Sequence, residues 1–112
     1  MDELEKILST EYSEEFDKLR KDRVLFGFYK YGACGKNYKE KLIDPMKTLE
    51  QCLKKYKETG NTEYLVDAAN YTMFEYMYPQ HENGHFRATN ETESAGIVGM
   101  SINEIKAFKE DI

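Results

Sequence analysis

The stretch Asn61-Thr62-Glu63-Tyr64-Leu65-Val66-Asp67-Ala68-Ala69-Asn70-Tyr71-Thr72-Met73-Phe74-Glu75-Tyr76-Met77-Tyr78-Pro79 decides the fold class. Asn61 or Thr62 supplies the side-chain cap that a helix start needs, and Pro79 cannot continue the hydrogen-bond ladder, so a helix is expected from Glu63 to Tyr78. Leu65, Val66, Ala68, Ala69, Met73, Phe74 and Met77 occupy nearly its whole circumference. A helix that is apolar on most sides is a central one, and it requires other helices around it.

Those helices are legible on either side. Asp44-Pro45 is a start signal, with the aspartate as cap and proline in the first turn, where its missing N–H costs nothing. Met46, Leu49, Leu53 and Tyr56 follow at helical spacing opposite Lys47, Glu50, Lys54, Lys55 and Glu58, and Gly60 closes the segment. Further upstream, Ser13 with Glu14 and Glu15 opens a helix that carries Phe16, Leu19 and Arg23 on one face and reaches about Tyr31. Gly27 lowers its propensity by about 1 kcal/mol relative to Ala, so a kink or a close helix contact is expected there. Leu4, Ile7 and Leu8 give a short amphipathic helix over residues 2–8 with a break at Ser9 and Thr10, and residues 38–43 read as another short piece after a loop at 32–37. Ser101 and Glu104 form the capping box of a last helix carrying Ile102, Ile105 and Phe108, which is expected to dock. Period-two alternation is confined to residues 84–89, where a short hairpin would fit. The expected fold is all-α: a single domain over residues 1–112, a small bundle of four to five helices with one long functional loop at 79–100.

Composition narrows the function classes. The chain has 112 residues, 40% hydrophobic and 33% charged, with nine Tyr and six Phe. Its apolar content is lean for a self-sufficient monomer and unusually aromatic. Tyrosine buries a ring while keeping one polar end wet, so a homo-oligomer is expected. A net charge of −5 opposes general affinity for nucleic-acid backbones, which depends on clustered Lys and Arg. No apolar run approaches the roughly 20 residues of a membrane helix. Cys34 and Cys52 lack metal-type spacing and follow no signal peptide, which reads as two free thiols in a reducing cytoplasm.

The loop is where chemistry is expected. Connections of more than about 12–15 residues without structure of their own are functional or disordered. Residues 79–100 contain His81, His85, Arg87, Thr89, Glu91, Ser94, Gly96 and Gly99. Arg87 offers a planar fork suited to phosphate, His85 an imidazole, Thr89 and Ser94 hydroxyls, and the glycines allow backbone amides close to a ligand. Phe86 or Tyr78 could stack on a base. Arg87 has a second use in an ion pair with Glu91 or Glu93. On the central helix, Asp67 and Asn70 interrupt apolar surroundings, with Glu63 on roughly the same face. Such groups imply a salt bridge to Lys or Arg with an interhelical amide tie, a bound cation, or a cavity.

Two resemblances extend these readings. Glu14-Glu15 on one helix, with Glu63-Tyr64-Leu65-Val66-Asp67-Ala68-Ala69-Asn70 downstream, resembles the all-α MazG-like nucleotide pyrophosphohydrolases, and Tyr29-Lys30-Tyr31-Gly32 is similar to phage-encoded relatives of that group. Lys18 stands where that family has its third acid, and Glu63 and Asp67 are four apart where the family has three. The resemblance implies Mg²⁺ ions held by Glu14, Glu15, Glu63 and Asp67, which would polarise a nucleoside triphosphate and activate water. The run from Leu65 through Glu75-Tyr76-Met77-Tyr78-Pro79 to His85-Phe86-Arg87-Ala88-Thr89 resembles a small uncharacterised protein carried by phages and prophages of Gram-positive bacteria. That implies an accessory gene, of the kind that acts against host defence by occluding an effector or sequestering a nucleotide signal.

Three functional readings follow. The first is a non-enzymatic phage-type counter-defence protein, in the host bacterial cytoplasm, that sequesters a phosphorylated nucleotide-like ligand through His85, Arg87, Thr89, Ser94, Phe86, Tyr78 and Asn70. It expects the guanidinium and imidazole beyond Pro79 to converge with the acid–amide face of the central helix in one enclosed anion pocket. The second is the Mg²⁺-dependent pyrophosphohydrolase. The third is a protein–protein inhibitor that blocks a basic host partner through an acidic, aromatic surface.

Overall fold

The computed structural model describes residues 1–99 and 101–110, and among these it holds six α-helices and no strand. They are α1 (Glu3–Glu11), α2 (Glu14–Tyr31), α3 (Cys34–Lys39), α4 (Pro45–Thr59), α5 (Glu63–Met77) and α6 (Ile102–Glu110). Met100, the last residue of the expected loop, lies outside the described residues, as do the final two positions of the expected domain.

Local chemistry explains most of the boundaries. Asp2, Ser13, Asp44 and Ser101 each accept a backbone N–H of the following helix through a side-chain oxygen, which satisfies donors the helix itself leaves orphaned. At α5 Thr62 makes no such bond; Asn61 Oδ1 takes the N–H of Glu63 at 3.0 Å instead. Gly60 ends α4 at φ 74°, a left-handed geometry that costs glycine nothing. The three-residue link 60–62 then folds α5 back along α4, and this hairpin is the heart of the molecule. Val66, Ala68 and Asn70 of α5 and Cys52 of α4 are buried in it. α2 also packs on α5, where Asn70 meets Arg20, and α3 brings Tyr38 against Phe74 (ring centroids 5.3 Å) and Tyr78 (6.3 Å). α5 is therefore central, as its all-round apolar pattern requires.

Five expectations are corrected. The short helix expected at 38–43 lies earlier: α3 starts at Cys34 within the expected loop, keeps only Tyr38 and Lys39 of the expected piece, and places Tyr38 where it is buried. Leu42 N–H to Asn37 O (2.8 Å) and Lys41 N–H to Tyr38 O (3.2 Å) close its end as a Schellman motif, with Lys41 at φ 56° in the left-handed position. α1 does not break at Ser9 and Thr10, whose hydroxyls donate to the carbonyls of Lys6 and Ile7 and so stay within the helix. α2 runs through Gly27 uninterrupted, and a Cβ there would meet nothing within 4 Å, so the expected close helix contact is absent too. No hairpin forms at 84–89. Asn83 N–H donates to His81 Nδ1, and Asn90 Oδ1 accepts from Thr92 and Glu93, so this backbone turns on its own side chains rather than pairing. Finally, α6 is not docked: Phe108 is 63% exposed and Ile102 54%.

The outcome is an open molecule. Its radius of gyration is 17.6 Å, against about 13 Å for a compact domain of this length. Its accessible surface is 9755 Å², where a compact monomer of the same mass exposes roughly 6,400 Å². α2 carries Val24, Leu25, Phe26, Phe28 and Tyr29 around most of its circumference, yet none of its residues is buried.

Candidate functional site

The seam between α2 and α5 is polar. Arg20 and Arg23, three apart on α2, face Asn70 and Asp67, three apart on α5, in antiparallel order. Arg23 grips Asp67 with both arms, Nε to Oδ1 at 2.9 Å and Nη2 to Oδ2 at 3.0 Å, and lies 3.7 Å from Glu63 Oε1. Its guanidinium also sits over the Phe26 ring at 5.1 Å. Asn70, only 4% exposed, donates to the backbone carbonyl of Arg20 at 3.0 Å and accepts from Arg20 Nε at 3.3 Å. The structural use of Asp67 and Asn70 is therefore realised: a salt bridge to arginine and an amide tie between helices.

Beside this seam α2, α3 and α5 line a partly open cavity of about 230 Å³. Phe28, Tyr31, Tyr38, Tyr71 and Phe74 wall it with rings, and the Arg23–Asp67 pair and Asn70 border it on one side. Burial, reinforced by the neighbouring Tyr71 and Cys34, raises the Tyr38 hydroxyl above its ordinary pKa of 10.0, and burial does the same to Tyr71. Both are neutral hydrogen-bond donors at physiological pH. The exposed members of the lining, among them Phe26, Phe28, Lys30 and Tyr31, belong to the last turns of α2, so the mouth lies there.

The loop residues are elsewhere. Gln80 fastens the loop's beginning, donating through Nε2 to the carbonyls of Tyr38 (3.0 Å) and Tyr78 (2.8 Å). From His81 to Gly99 every residue is exposed. Arg87 pairs with Glu93, His85 Nδ1 meets the carbonyl of Asn83 at 2.7 Å, and Phe86 is 81% exposed. Ser94 Oγ takes only a long contact from Gly96 N–H, and Thr89 has no side-chain partner among the described residues. His81, His85 and Phe86 border a separate open groove with Met46, Tyr76 and Met77. Its charged members are Asp44 and Glu75, whose field repels phosphate. Tyr78 stacks on Tyr38, and Asn70 borders the other cavity. The single pocket joining Arg87 and His85 to the face of Asp67 and Asn70 does not form.

The four carboxylates of the metal alternative are likewise divided. Glu14 and Glu15 lie in the exposed first turn of α2, and Glu63 and Asp67 turn to Arg23. Among the described residues no three His, Cys, Asp or Glu side chains gather as a metal-holding group. Cys34 and Cys52 are free thiols, as expected; Cys52 packs in the core, where burial raises its pKa and keeps it protonated.

Sequence reasoning did not single out Arg20, Tyr38 or Tyr71 as lining a site, and gave Arg23 no more than a place on the face of its helix. One signal was there for the arginines: two basic residues three apart on one helix match an acid and an amide three apart on another. Nothing comparable marks Tyr38, whose importance depends on where α3 stops. No family model, curated protein or solved structure matches the chain.

Proposed function

We propose that this chain is a non-catalytic binding protein that works as an assembly of its own copies. The observation that carries this is the excess of exposed surface, about half as much again as a compact monomer of 13.2 kDa shows. An obligate homodimer buries about 2,000–5,000 Å² in total, and this surface can supply that from apolar stripes alone. Leu4, Ile7 and Leu8 on α1, Leu25 and Tyr29 on α2, and Ile102 and Phe108 on α6 are all exposed. Copies carrying −5 each repel at long range, so the contact must come from apolar area rather than from charge.

A binding role is also favoured over hydrolysis by Arg23, which already gives Glu63 and Asp67 a cation of the protein's own. In the phage-type reading that the sequence resemblance implies, such an assembly acts by occluding or holding a target. Sedimentation equilibrium tests the proposal. The native chain should be a dimer or larger at micromolar concentration, held or tightened as salt screens the repulsion between copies, and Leu25→Glu with Tyr29→Glu should return it to a folded monomer. A native chain that stays monomeric at high concentration overturns the reading and leaves the acidic surface for a basic host partner.

A further inference from the structure

We propose that the cavity between α2, α3 and α5 is a binding site for a flat, uncharged heteroaromatic ring system of bicyclic size, whose ring acceptor takes a hydrogen bond from the Tyr38 hydroxyl. This goes beyond self-assembly and does not depend on it.

Size is the first argument. A dry apolar cavity of about 150 Å³ takes up benzene, and this one is about 230 Å³, room for a second fused ring. Shape and chemistry agree with it, because Phe28, Tyr31, Tyr71 and Phe74 present ring faces and edges, which receive a flat π-system by stacking or edge contact.

The Tyr38 hydroxyl is the second and independent argument. Tyr38 is 3% exposed, and its hydroxyl makes no hydrogen bond among the described residues. Every fully enclosed side-chain polar atom described does have a partner. The Tyr38 hydroxyl therefore keeps some accessible surface, and Tyr38 is part of the cavity lining. A donor with no partner in the chain is free to give its hydrogen bond to a ligand acceptor, or to water when no ligand is there.

Charge sets what can enter. Arg23 is neutralised by Asp67, so the inner wall has no net charge and favours a neutral ring. Lys30, its ammonium 5.0 Å above the Tyr31 ring at the mouth, would meet an anionic substituent left outside. A free base and a nucleotide share the ring, and Lys30 distinguishes them.

The test is a calorimetric titration of the intact chain with isoquinoline, with naphthalene, which lacks the ring acceptor, and with adenosine 5′-monophosphate. Isoquinoline should bind more tightly than naphthalene. Tyr38→Phe should weaken isoquinoline about five- to tenfold, the worth of one neutral hydrogen bond, and leave naphthalene within about twofold. Its melting temperature should not fall, since the hydroxyl has no partner within the chain. Lys30→Ala should weaken the monophosphate and spare isoquinoline if the natural ligand is a nucleotide; equal loss or no loss points to a free base. Absence of isoquinoline binding at millimolar concentration, or binding indifferent to Tyr38→Phe, overturns the proposal.

Discussion

The guanidinium of Arg23 meets the carboxylate of Asp67 side-on across the α2–α5 seam, with both arms within 3.0 Å. The side chains are 33% and 22% exposed, so water screens the pair without dissolving it. Asp67→Ala leaves a half-buried cation with only Glu63 beside it and should cost about 1–2 kcal/mol, less than a fully buried pair would lose. In urea denaturation, a double-mutant cycle of Asp67→Ala with Arg23→Met should return a coupling of about 1 kcal/mol. Arg23→Lys should not rescue it, because an ammonium cannot fill both carboxylate oxygens at once.

Asn70 should be the more sensitive position of the seam. Its replacement by Ala strips the Arg20 carbonyl and the Arg20 Nε of a partner in a site that is almost closed to water. A loss of about 2 kcal/mol is expected, read from the shift of the denaturation midpoint at constant slope.

Lys41 offers a gain. It occupies the left-handed position of the α3 Schellman motif at φ 56°, where a side chain crowds its own carbonyl. Lys41→Gly should stabilise the chain by about 1 kcal/mol and raise the melting temperature by about 5 °C.

Gly27 offers another. An added Cβ would touch nothing within 4 Å, so Gly27→Ala should return the helix propensity that glycine withholds, about 1 kcal/mol. The residue also lines the ring-walled cavity, and a methyl group there should shrink it and weaken isoquinoline uptake. Stability rising while affinity falls is the expected joint result of thermal melting and titration.

Alkaline pH should weaken the fold. Burial raises the Tyr38 and Tyr71 hydroxyls above 10.0 and the Cys52 thiol above 9.0, so the folded chain keeps protons that the unfolded chain has lost. Stability is then complete below pH 9 and declines as pH rises through the ordinary values toward the raised ones. Tyr38→Phe combined with Tyr71→Phe should flatten much of that decline in denaturation midpoints compared at about pH 7 and pH 10.5.

The helices were legible because their signals are local. Ser13, Asp44 and Ser101 announce starts, Gly32 and Gly60 announce ends, and Leu65 through Met77 announce a helix with neighbours all round. α3 was misplaced because its position depends on Tyr38 finding Phe74 and Tyr78, a contact between residues about 40 apart that propensity cannot register. The same reason hid the cavity, whose walls come from three helices. The loop drew attention through the richness of its side chains, but composition cannot show that Arg87 turns outward to Glu93. Asp67 and Asn70 were correctly marked, because polar groups on an apolar helix must be answered from somewhere.

The α4–α5 hairpin is contiguous, 33 residues from Pro45 to Met77, whereas the α2–α5 seam joins partners 44 and 50 positions apart. Closing the first costs little chain entropy, and closing the second costs more. The hairpin is thus placed to be the kinetic nucleus on which α2 later condenses, so substitutions at Val66 or Ala68 should slow refolding, while those at Arg23 should chiefly hasten unfolding.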